Sequence, residues 1–128
     1  MKLPDDQIDQ PSLARLGAET ARLIKEGNYR EIADRFGYAL ARGKDPSDVI
    51  QAEIQACLSK HWASAHLLAS SPQDITVKYF APNDAPFFAL VECRLALAKD
   101  GGSILAELMV TTMGDGKHVF LEQISYAA

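Results

Sequence analysis

Residues 103–126 read Ser-Ile-Leu-Ala-Glu-Leu-Met-Val-Thr-Thr-Met-Gly-Asp-Gly-Lys-His-Val-Phe-Leu-Glu-Gln-Ile-Ser-Tyr. Apolar and polar side chains alternate on both sides of Asp115-Gly116, the pattern of two strands with one covered face. Asp-Gly between such runs marks a tight hairpin, because both turn residues tolerate positive φ. A second Asp-Gly, Asp100-Gly101, joins Ser103–Met113 to the alternating run Phe87–Ala98. Upstream lies a shorter strand, Ile75–Phe80, ended by a loop that Pro82 and Pro86 keep out of any ladder. The reading is four antiparallel strands in meander order.

Two-residue turns at both Asp-Gly sites predict a register with Arg94 opposite Glu107, Met113 opposite His118 and Met109 opposite Glu122. Alternation then sorts the side chains. One face carries Phe87, Ala89, Val91, Cys93, Leu95 and Leu97, then Ile104 through Thr112 at alternate positions, then Val119, Leu121, Gln123 and Ser125. It has no charge, so it is the face that helices cover. The other face carries Phe88, Leu90, Glu92 and Arg94, then Leu105, Glu107, Met109 and Met113, then His118, Phe120, Glu122, Ile124 and Tyr126. It mixes charges with more large apolar groups than a solvated face needs.

Before Asp74 the hydrophobic period is helical. Pro11 suits a first turn, and Leu13, Leu16, Thr20, Leu23 and Ile24 fall on one side of a helix over 11–26. Gly27 fits the left-handed residue past its end, and Asn28 caps a second helix whose stripe runs Tyr29, Ile32, Ala33, Phe36 and Leu40. Asp45, Pro46 and Asp48 start a third. Its stripe, from Ile50 through Cys57 and Trp62 to Leu68, predicts one helix over 46–70, ~35 Å long and able to cross a sheet. Residues 1–10 read as a flexible lead-in and 11–128 as a single domain. The fold class is α+β, three N-terminal helices on a curved four-stranded sheet.

The chain has 128 residues, 48% hydrophobic and 23% charged, enough to build a core with neither disulfide nor metal. A net charge of −4, with 13 basic residues scattered singly, argues against nucleic acid. No apolar run approaches a membrane span and no basic amphipathic stretch suggests a membrane surface. The acidic start, without the apolar run of a signal peptide, and two cysteines point to the cytoplasm with reduced thiols.

The bent helix pair with its Glu26-Gly27-Asn28-Tyr29 corner, the long helix and the closing hairpin Gly114–Tyr126 resemble the NTF2-like (cystatin-like α+β) superfamily. The resemblance covers nearly the whole chain. It implies a helix across a strongly curved sheet, a conical pocket between them, and frequent dimerisation through the sheet. It implies no particular activity, since that superfamily mixes isomerases, dehydratases, transport factors and accessory domains.

The chemical motifs are sparse. His61 and His66, five apart on a helix, do not share a face, and no cysteine or carboxylate completes a metal set with them. Gly114-Asp115-Gly116-Lys117 lacks the spacing of a phosphate loop and lies between strands. Cys57 and Cys93 fall on apolar faces, the setting of inert core thiols. Catalysis on this fold needs carboxylates or histidines inside the cone, and the strands put Glu92, Glu107 and Glu122 outside it. The expectation is a homodimer that binds a small apolar ligand or a partner protein, with no catalytic residue, metal or cofactor. Tyr38, Trp62, His66, Tyr79, Cys93 and Gln123 are its candidate pocket residues. Phe88, Leu90, Arg94, Met109, Phe120, Ile124 and Tyr126 are its candidate dimer face. The alternative is a pocket enzyme of isomerase or dehydratase type on a small hydrophobic substrate, with Tyr38, His61 or His66 as the candidate titratable group.

Overall fold

Helix α1 (Gln10–Glu26) begins at Asp9, whose carboxylate accepts a 2.6 Å hydrogen bond from the Ser12 hydroxyl. Its buried stripe is Leu13, Gly17, Thr20, Ala21, Leu23 and Ile24. Gly27 ends it at φ 72°, a conformation glycine adopts without steric cost. The Asn28 side chain then accepts from the Glu31 N–H and opens α2 (Tyr29–Phe36). The structure, a computed structural model, describes residues 1–60, 64–82, 85–97 and 102–127.

Helix α2 stops at Phe36, four residues short of the expected Leu40. Gly37 sits at φ 65° and Tyr38 is extended, followed by a 3-10 turn over Ala39–Ala41. The break turns Tyr38 into the core and leaves Leu40 exposed. The third helix is also shorter than expected. Its start is as read: the Asp45 carboxylate accepts from the Ser47 N–H at 2.9 Å, with Pro46 next. But α3 spans Pro46–Lys60, about 22 Å at 1.5 Å per residue. Ser64 is extended and caps a separate helix, α4 (Ala65–Ala69), by accepting from the Leu67 N–H. A serine committed to a new N-terminus cannot also continue the old helix.

The sheet has five strands, not four, in the order β1-β5-β4-β3-β2 and antiparallel throughout. They are β1 (Lys2–Leu3), β2 (Gln73–Tyr79), β3 (Phe87–Ala96), β4 (Ser103–Met113) and β5 (Gly116–Ala127). The added strand comes from residues expected to be a flexible lead-in. Lys2 pairs with His118 and Leu3 with Lys117, and the Met1 ammonium donates to the Val119 carbonyl at 3.0 Å. Leu3 is buried, which gives so short a strand an apolar anchor.

Both hairpins slip by two residues from the expected register. Arg94 faces Leu105 and Glu92 faces Glu107; Met113 faces Gly116 and Met109 faces Phe120. The second turn is therefore Gly114-Asp115. A slip of two keeps side chains on their faces, so the assignment survives over Ala89–Leu95, Ile104–Val110 and Val119–Leu121, whereas Phe87, expected inside, is 46% exposed and Thr111, expected outside, is buried. Two bulges then do what the slips do not. Phe88 is the extra residue between the pairs Phe87–Thr111 and Ala89–Val110, and Glu122 is the extra residue between Leu108–Leu121 and Glu107–Gln123. Past Glu122 the alternation of β5 is inverted. Ile124, expected on the outer face, is buried opposite Ala106, and Gln123, expected inside, is exposed opposite Glu107.

The core fills the space between the helices and the inner face. Val91, Cys93, Leu95, Ile104, Leu108 and Val110 are fully buried there, with Leu13, Ile50 and Ile54 from the helices. Gly17 sets the approach of α1: a Cβ at that position would lie 2.7 Å from Ile75 Cγ2 and 2.8 Å from Val91 Cγ1. The sheet is strongly curled around this filling. No helix among the described residues is long and apolar enough to cross a membrane.

Candidate functional site

The helix side is closed beneath α1 and opens beside α3. A groove of about 930 Å³ runs between α3 and the last strand, lined by Val49, Ala52, Ala56 and Cys57 on one side and by Ile124 and Tyr126 on the other. Ser125 and the charged Lys44, Asp45, Asp48, Glu53 and Lys60 form the rest of its wall. The inverted alternation of β5 makes this groove. Without the extra Glu122, Ile124 and Tyr126 would point away from α3. Ala52 and Ala56, one turn apart, keep the α3 wall shallow.

Tyr38 braces the groove from below. Its hydroxyl accepts a 3.2 Å hydrogen bond from the Ile124 N–H, a backbone donor that no neighbouring strand reaches. Burial pushes the Tyr38 phenol up to about 12, the Ile124 N–H pulls the other way, and the nearby Glu53 carboxylate adds to the rise. Burial likewise pushes the Cys57 thiol up, against the partial relief of the Lys60 charge. Both groups are held in their protonated forms at neutral pH. Neither is tuned as a general base or a thiolate nucleophile.

The expected pocket residues do not converge here. Of the six, Tyr38 adjoins the groove. Trp62 lies outside the described residues, as does His61. His66 is exposed on α4. Tyr79 is 46% exposed at the end of β2, its hydroxyl donating to the Ile8 carbonyl at 2.7 Å. Cys93 is fully buried against α1, its thiol donating to the Gly17 carbonyl at 3.4 Å, with its pKa raised to about 12 by burial. Gln123 is on the opposite face. Val49, Ala52, Glu53 and Ala56 escaped the sequence reading because they lie off the apolar stripe of α3, where residues carry no periodic signal. Among the described residues, no group of three or more histidines, cysteines or carboxylates is arranged to hold a metal.

The expected dimer face is also rearranged. Ile124 and Tyr126 belong to the groove side. Phe88 packs against the core, meeting the Tyr79 ring edge-on at 5.5 Å, with the Lys117 ammonium 4.7 Å from its own ring centre. Leu90, Arg94, Met109 and Phe120 stay on the outer face, but Met109 is buried and Leu90 and Phe120 are half-buried among their neighbours. The three acids do gather there: burial raises the Glu107 carboxyl, and Glu92 and Glu122 raise it further against the pull of Lys78.

An α+β fold whose curled antiparallel sheet carries its helices on one face, with a groove at one side, is the class that these observations define. Compared with protein-family models, curated proteins and solved structures, the chain matches none.

Proposed function

We propose that this chain is a non-catalytic binding domain of the NTF2-like type, working in the cytoplasm, which takes a small, largely apolar ligand in the α3–β5 groove. One observation carries the proposal: the groove between α3 and β5 has an apolar floor, and Tyr38 and Cys57 beside it are held protonated at neutral pH. A preformed concave site with a few polar groups on its wall is the usual form of a small-molecule site. An anionic end of such a ligand would have to sit at Lys44 or Lys60, away from Asp45, Asp48 and Glu53 on the same wall.

The competing reading is a pocket enzyme using Tyr38 and Glu53, which are neighbours under the groove. Tyr38 is poorly matched to proton transfer, because its hydroxyl already caps the Ile124 N–H and its acidity lies far from neutral. An apolar fluorescent anion such as anilinonaphthalene sulfonate is expected to bind one site on the folded chain, with displacement by decanoate. Ala56→Glu, which puts a charge on the floor of the groove, is expected to abolish that site without unfolding the protein. Undiminished binding by the variant would place the ligand elsewhere.

A further inference from the structure

Strand β2 is the edge of the sheet opposite β1, and its free side has a property that its sequence makes specific. Ala96 donates to the Pro72 carbonyl and Phe80 to the Phe88 carbonyl, so the even-numbered residues from 72 to 80 bond toward β3. In an antiparallel ladder alternate residues face alternate neighbours. Gln73, Ile75, Val77 and Tyr79 therefore direct their N–H and C=O groups outward, and no described residue receives them. An edge of this length is a template for another strand unless something covers it.

We infer that β2 pairs with β2 of a second copy of this chain, antiparallel about a twofold axis at Thr76, joining two sheets into one of ten strands. In that register Ile75 faces Val77 of the second copy, and both are only half-buried in one chain. Each pair has both members with edge-directed backbone groups, which is what a closed hydrogen-bonded pair requires.

Charge selects this register. Asp74 stands opposite Lys78 of the second copy, twice over by symmetry. Within one chain Asp74 neighbours Arg94 across the ladder, and the Lys78 ammonium already meets Glu92 at 2.7 Å. The joined outer face thus carries a row of alternating sign, Arg94, Asp74, then Lys78 and Glu92 of the second copy. Shifting the axis by one residue either way loses both cross-pairs, setting Asp74 or Lys78 against Thr76. On the helix side, Lys25 reaches Gln73 at the start of the edge, and Ala14 and Ala18 share that face of α1. Small side chains there leave room for a second α1. The outer face is the poorer interface, since its apolar groups already cover one another.

The test is the oligomeric state by sedimentation, with charge-swapped variants. The wild-type chain is expected to be a dimer at high micromolar concentration. Asp74→Lys and Lys78→Asp, each alone, set like charges opposite and are expected to weaken the dimer about tenfold or more. An equimolar mixture of the two variants restores opposite charges at every cross-pair and is expected to form a heterodimer. Val77→Pro removes one outward N–H while sparing the bonds to β3, so it is expected to stay folded and become monomeric. Phe120→Glu, on the outer face, is expected to leave the dimer intact. A monomeric wild type, a dimeric Val77→Pro, folded single variants that do not associate when mixed, or a monomeric, folded Phe120→Glu would each overturn the pairing.

Discussion

Gly17 is the residue on which the packing of α1 depends. Alanine there gains ~1 kcal/mol in helix propensity, but its Cβ would meet Ile75 and Val91, two β-branched side chains that are stiff at χ1. Overpacking of this kind costs about 1–3 kcal/mol, so Gly17→Ala is expected to be destabilising by up to ~2 kcal/mol in urea unfolding. A more stable variant would show that α1 can lift from the sheet freely. Glu107 gives the second prediction. Its folded-state pKa is raised, so the folded chain holds that proton to higher pH than the unfolded chain does. Stability is therefore lost as pH climbs from the ordinary carboxylate value through the raised one, and the loss is complete above it. Glu107→Gln is expected to gain ~0.2–1 kcal/mol at pH 7, a range set by a relieved cross-strand repulsion and reduced by solvent screening. The gain should vanish in acid. Little of this was legible beforehand. The three acids sort correctly by alternation alone, but a glycine in a helix does not announce what passes over it.

At the scale of elements, local chemistry read well wherever a short-range signal exists. Gly27-Asn28 and Asp45-Pro46 place helix boundaries as expected, because caps satisfy backbone donors through neighbours in sequence. Ser64 carries the same kind of signal, but it lay inside a continuous apolar stripe that favours a single helix. The bulges at Phe88 and Glu122 have no such signature, because an extra residue is fixed by packing across the sheet rather than by its neighbours. That is why Gln123, Ile124 and Tyr126 were assigned to the wrong faces while Leu121 was not. The two-residue strand β1 was invisible for another reason: Lys2–Leu3 is too short for any period to register. Its contribution rests on Leu3, and Leu3→Ala is expected to cost ~2–3 kcal/mol, within the range for buried leucines. Unchanged stability by thermal or denaturant unfolding would mean that β1 adds nothing to the sheet.

For the whole molecule, the order of helices before the four long strands and the choice of core face follow from the change of hydrophobic period near Asp74. The location of the opening does not, because it depends on where α3 stops and where β5 inverts. A cone expected to hold a ligand beneath its long helix is, among the described residues, filled by Leu108, Leu121, Ile50 and Ile54, and a groove opens along the flank of α3. The central claim is that this flank binds an apolar molecule and leaves it unchanged. The most direct measurement is an amide and methyl chemical-shift titration with decanoate, followed by recovery of the probe. The account predicts saturable shifts confined to Val49, Ala52, Ala56, Ile124 and Tyr126, and a chemically intact probe. Shifts centred elsewhere, or a saturating ligand that leaves these five residues unmoved, would contradict it.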